Sequence, residues 1–166
     1  MPLDLVRIDD RLIHGQVVVG WGSYLKTTKI ILCNDAIAAS PTISDMYKSA
    51  RETALVPLTI SIQSVAGTIE ELANIADDDK IILLVESPQE ALQLIQAGLK
   101  IDKINVGGMH FRDGKHQLAS YIYVDEDEIK TFKKIVELGI KLEGKDMPMA
   151  KAIDISKKIQ NINISF

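Results

Sequence analysis

The stretch Arg7-Ile8-Asp9-Asp10-Arg11-Leu12-Ile13-His14-Gly15-Gln16-Val17 gathers the side chains best equipped for chemistry in this sequence. A neutral imidazole is a competent nucleophile near physiological pH, and a nearby carboxylate fixes which ring nitrogen carries the proton. Arg11 brings a forked guanidinium that matches phosphate oxygens. His14, Arg11 and Asp10 together suit in-line phosphoryl transfer, where positioning and charge stabilisation do most of the catalysis. Asp9 and Asp10 also read as plain turn residues, and the sharper reading has one of the two orienting His14 or Arg11. The Asp-Asp-x-x-x-His spacing also describes a metal site, but three ligands without a second cluster make a weak set, so no metal or other cofactor is expected.

Those residues need a scaffold, and the surrounding pattern supplies one. Short β-branched runs alternate with segments of helical period, as in a parallel sheet covered on both faces. Strands are expected at Leu3 to Ile8, Lys29 to Cys33, Leu58 to Ile62, Ile81 to Val85 and Lys103 to Val106. Helices fall between them, with Ile43, Met46, Tyr47 and Ala50 inward in one and Val65, Ile69, Leu72 and Ala76 in the next. A third begins with Ser87 as N-cap and Pro88 in its first turn, buries Ala91, Leu92, Leu94 and Ile95, and stops at Gly98. Gly108 to Ala119 lacks periodicity and reads as a loop. Tyr121 to Val124 reads as a short strand, Asp125 to Leu138 as a helix with Ile129, Phe132 and Ile135 inward, Ile140 to Leu142 as an edge strand, and the tail from Met149 as a helix. The expected fold is a single doubly wound α/β domain over 1–166, a mainly parallel central sheet with helices on both faces. In such a sheet ligands bind outside the carboxyl ends of the strands, which puts His14 at the binding edge, beside a helix start that favours anions.

Other residues share that edge. Asn34 and Asp35 follow the second strand, and turn formation and a phosphate contact are equally good readings of them. Gly107-Gly108 permits either a close backbone approach to a ligand or a tight turn, and it lacks the spacing of a dinucleotide fingerprint. His110 and Arg112 suit a phosphate or partner contact as well as a bare surface, whereas His116 reads as solvated. Cys33 reads as a small buried hydrophobe and Trp21 as core.

Composition narrows the partners. The 166 residues carry 46% hydrophobic and 25% charged side chains, an ordinary globular balance, and a net charge of -4 speaks against nucleic acid. One cysteine cannot form an internal disulfide, and no secretory leader or membrane-length apolar run is visible, so a cytoplasmic location is expected.

The segment Ile8 to Val17 closely resembles the active-site loop of the IIB components of the mannose/fructose/sorbose family of the bacterial sugar phosphotransferase system. The likeness extends to Gly107-Gly108-Met109-His110-Phe111-Arg112 and to Tyr121-Ile122-Tyr123-Val124-Asp125. It implies a phosphoryl carrier in which His14 is phosphorylated on Nδ1; beside it Arg11 and Asp10 are the candidate catalytic residues, and Asp9, Gly15, Gln16, Asn34, Asp35, Gly108 and His110 the candidate phosphate or loop contacts. It also implies a phosphorylated IIA donor, on a separate polypeptide because no IIA domain precedes this one, and membrane IIC and IID subunits that hold the sugar. A peripheral association with that permease follows, while a homo-oligomer stays open. Two other readings compete: a non-catalytic small-anion or partner-binding module, and a metal-dependent hydrolase.

Overall fold

A computed structural model describes residues 3–49 and 58–163. Seven strands form one sheet in the order β3-β2-β4-β1-β5-β8-β9. They are β1 (Leu3–Ile8), β2 (Lys29–Cys33), β3 (Thr59–Gln63), β4 (Ile81–Val85), β5 (Lys103–Val106), β8 (Lys141–Gly144) and β9 (Ile153–Asp154). All neighbours run parallel except β9, which pairs antiparallel with β8. The remaining strands, β6 (His116–Ala119) and β7 (Ile122–Val124), make a separate antiparallel hairpin. The bounds of β1, β2, β4 and β5 match those expected; β2 and β4 read as near-continuous apolar runs, while β1 and β5 include Asp4, Arg7, Lys103 and Asn105.

Helices cover both faces. A π-helical turn, Gln16–Trp21, runs into α1 (Gly22–Leu25); with α2 (Asp35–Ala38) and α3 (Pro41–Ser49) it lies over one face. There Val17, Val18 and Trp21 pack with Ile30, Leu32, Ile82 and Leu84. The other face carries α4 (Val65–Ala73), α5 (Pro88–Gln96), α6 (Glu126–Glu137) and α7 (Ile155–Gln160), which bury Leu72, Leu94, Phe132 and Ile159 against Ile31, Leu83 and Val106. Ser87 caps α5 by accepting from Glu90 N, Gly98 stops it at φ 112°, and Asp125 with Glu128 closes a capping box on α6.

Five expectations need correction. Residues 116–119 are strand rather than loop: β6 is half of a hairpin and owes its order to β7, not to apolar periodicity of its own. The strand at Ile140 to Leu142 is not an edge, since β9 covers it. The tail is therefore strand before it is helix, and α7 starts only at Ile155, with Asp154 as its cap. On α3, Tyr47 packs inward as expected, but Ile43 and Met46 are exposed and Ser44 is buried, while Ala50 lies outside the described residues. Ala76 is exposed beyond the end of α4.

Candidate functional site at the carboxyl edge of the sheet

Strand β1 lies between β4 and β5. The chain leaves β1 toward the π-turn on one face and leaves β5 toward the hairpin and α6 on the other, so the crevice between their carboxyl ends is the switch point of the sheet. Backbone bonds lock the two loops together: Gly107 N to Ile8 O at 2.8 Å and Asp10 N to Gly108 O at 2.9 Å, with Asp9 N reaching Val85 O of β4 at 2.9 Å. Between Asp9 and His14 the chain turns through Leu12, whose φ of 60° is left-handed backbone that a branched residue adopts only when held there. What holds it is the burial of its side chain with Ile13 against the core of that face.

Asp9 is the hub. Fully buried, it accepts from Arg11 N and Arg11 Nε at 3.1 Å on Oδ1, and from Arg7 Nη2 at 2.9 Å and Arg11 Nη2 at 3.0 Å on Oδ2. His14 Nε2 lies 3.2 Å from the same Oδ2, in electrostatic contact though not aimed along a hydrogen-bond axis. Burial alone would raise the Asp9 pKa, but His14, Arg11 and Arg7 together hold the carboxyl far below the usual range, so it stays ionised. Nε2 of His14 is thus shielded from solvent against Asp9. His14 O accepts from Val17 N at 3.1 Å and Val18 N at 3.0 Å and so begins the helical stretch. The amides of Gly15 and Gln16, in its first turn, have no carbonyl one turn back. Arg11 is held on its other side by Gln16 Oε1 at 2.8 Å. A cleft of about 360 Å³ opens here, lined by Arg11, Gln16, Gly108, His110, Phe111 and Tyr121 among others.

The sequence reading passed over Arg7. It is fully buried on the inner face of β1, where Nη2 binds Asp9 and Asp146 O at 3.2 Å and Nη1 binds Asn105 Oδ1 and Lys145 O at 2.8 Å. Its guanidinium carbon lies 5.3 Å from the Trp21 ring centroid, and Trp21 Nε1 donates to Asp146 O at 3.1 Å. Burial lowers the Arg7 pKa from its ordinary value while Asp9 works to keep it charged. The available signal was an arginine inside an otherwise apolar central strand, which needs a buried carboxylate partner close by.

The other expected residues divide. Asp10 turns away from His14: its Oδ2 accepts from His110 N at 2.7 Å and its Oδ1 faces His110 Nδ1 at 2.5 Å. Asp9, Asp10 and His14 therefore do not converge as three ligands on one point. Neither Gly107 nor Gly108 has a positive φ, and Gly108 lines the cleft. A Cβ at Gly107 would sit 2.3 Å from Arg7 Cζ, and one at Gly108 would sit 2.9 Å from Arg11 Nε, so the pair makes room for the two guanidinium groups. Asn34 and Asp35 are engaged elsewhere: Asn34 caps α2 and donates to Glu86 and Glu90, and Asp35 accepts from Val65 N at 2.9 Å. Cys33 is buried, with its thiol pushed up to about 11 by desolvation, so it is no nucleophile. His116 is exposed.

Fold and site define an open, doubly wound α/β protein with a histidine loop at its switch point, braced from inside by arginine and carboxylate. The family model of the sorbose-subfamily IIB component of the phosphotransferase system (PTS) matches residues 3–165, and the chain belongs to that family. It is 36% identical over 165 residues to the PTS system mannose-specific EIIAB component of Escherichia coli (strain K12), covering 96% of this chain and 50% of that protein. The chain thus spans about half the length of those mannose-type relatives. It is 30% identical over 164 residues to the PTS system sorbose-specific EIIB component of Lacticaseibacillus casei, covering 98% of each. The crystal structure of the IIBSor domain of the sorbose permease from Klebsiella pneumoniae superposes with a TM-score of 0.86 at 29% identity, over 99% of this chain and all of that one. No helix among the described residues is long and apolar enough to cross a membrane.

Proposed function

We propose that the chain, read as one IIB domain over 1–166, is a phosphoryl carrier that accepts a phosphoryl group from a IIA phosphohistidine onto His14 Nδ1. It then passes that group to a sugar held by membrane IIC and IID subunits, at which it docks from the cytoplasm. The observation that carries the reading is the placement of His14: Nε2 is buried against ionised Asp9, which leaves Nδ1 as the ring nitrogen for a phosphoryl group. A proton on Nε2 beside that carboxylate stabilises the phospho-imidazolium, and departure of the phosphoryl group leaves a neutral imidazole. Arg11 and the amides of Gly15 and Gln16 neutralise the phosphoryl oxygens, Gly108 gives Arg11 its place, and His110, held by Asp10, borders the cleft. Asn34 and Asp35 act at a distance, holding the neighbouring loop.

Intact-protein mass spectrometry tests the reading after incubation with phosphoenolpyruvate, the general phosphotransferase proteins and a IIA donor. An acid-labile phosphoryl adduct is expected on the unsubstituted chain and not on His14→Ala. An adduct that persists in His14→Ala places the phosphoryl group elsewhere. No adduct with two independently phosphorylated donors leaves a binding module.

A further inference from the structure

We propose that Asp10 and His110 form the acid–base pair of the second half-reaction, in which the sugar hydroxyl takes the phosphoryl group; this rests on the carrier reading above. The two residues are a hundred positions apart and meet because the loops after β1 and β5 are tied by Asp10 N to Gly108 O. Asp10 grips His110 twice, at its backbone N and at its ring Nδ1. An ionised carboxylate only accepts, so Nδ1 carries the proton and Nε2 is left with a lone pair. The ring itself is 60% exposed while Asp10 is 16% exposed, so the free nitrogen is presented outward from a braced base. His110 lines the same cleft as Arg11 and Gln16. A lone pair repels phosphoryl oxygens but accepts an alcohol proton, which makes this nitrogen a base rather than a phosphate clamp. The clamp is already supplied by Arg11.

The step balances. The sugar oxygen bonds to phosphorus as the bond from phosphorus to His14 Nδ1 breaks, and that electron pair returns to Nδ1. The hydroxyl proton passes to His110 Nε2, where Asp10 stabilises the imidazolium, and leaves to solvent as the ring resets. Loading from a IIA phosphohistidine involves no hydroxyl, so the pair has a proton to remove only in the second half-reaction.

The test compares two rates in the same preparations. One is phosphoryl loading of His14 from phosphorylated IIA. The other is single-turnover transfer to sugar in inverted vesicles holding mannose-family membrane subunits, with mannose, sorbose and N-acetylgalactosamine offered in turn. In His110→Ala the ratio of transfer to loading should fall by about 100-fold, a typical loss for a general base, and added imidazole should restore part of it. Asp10→Asn should lower the same ratio less. Equal losses in both rates would make His110 a docking or phosphate contact and overturn the assignment, as would an unchanged ratio or a loss that imidazole cannot rescue. Failure of the unsubstituted chain to load at all would remove the carrier reading and this one with it.

Discussion

At the level of single residues, two arginines that look alike in the sequence do different work. Arg7 and Arg11 both bind Asp9 Oδ2, yet the Arg7 side chain is fully buried and that of Arg11 is 30% exposed. Removing Arg7 leaves the ionised Asp9 without its innermost partner and takes the donor from Asn105 Oδ1. Arg7→Met should therefore cost about 3–5 kcal/mol of folding stability. Arg11→Ala leaves Asp9 paired with Arg7 and opens its own space to water, so it should cost under about 1 kcal/mol. It should nevertheless slow loading of His14, because the guanidinium on the cleft is gone. Urea denaturation read beside the loading rate separates the two, and a stable Arg7→Met or an unimpaired Arg11→Ala would contradict this division. The sequence pointed to Arg11 because it sits in the loop, and missed Arg7 because strand position hides a side chain's partners until the sheet order is known.

Elements were legible to the degree that their own residues dictate them. Strands β2 and β4 are written as near-continuous apolar runs, and α5 and α6 carry their caps in the sequence. The hairpin strand β6 and the short β9 draw their order from partners, so local pattern is silent about them. The π-helical turn after His14 was read as ordinary helical period, since Val17, Val18 and Trp21 face the core in either geometry. Glycines show the same dependence. Gly15, in the loop that carries His14, has nothing within 4 Å of where a Cβ would be, whereas Gly107 has Arg7 at 2.3 Å. Gly15→Ala should be neutral or stabilising by up to about 1 kcal/mol, as helical geometry favours alanine. Gly107→Ala drives a methyl into a guanidinium fixed by four hydrogen bonds and should cost about 1–3 kcal/mol or more. Thermal melts of the two variants would rank them, and a reversed order would mean that Arg7 can retreat.

For the whole molecule, folding stability sums every group whose proton affinity changes on folding, and two stand out with opposite signs. Asp9 is held far below its ordinary pKa, so its contribution is present above about pH 4 and is lost only in stronger acid. Glu90 behaves in reverse. On α5, its carboxyl accepts from Glu86 N and from Asn34 Nδ2, and burial beside Glu86 and Asp35 raises it from 4.5 to about 7. Between those two values the folded chain binds the Glu90 proton more tightly than the unfolded chain does. Stability is therefore lost as pH rises through that window and levels off above it. Asp9 remains ionised throughout the same range, so it adds no slope. The urea midpoint should fall between about pH 5 and about pH 7.5, and Glu90→Gln should flatten that fall whatever its own stability. An undiminished slope in Glu90→Gln would assign the dependence to other groups. The acidic cluster sits where Asn34 and Asp35 brace the loop after β2, apart from the Asp9 hub. Glu90→Gln should therefore change the pH dependence of folding without moving His14, which ties the two ends of the carboxyl edge to separate tasks: one holds the sheet's rim together, the other carries the chemistry.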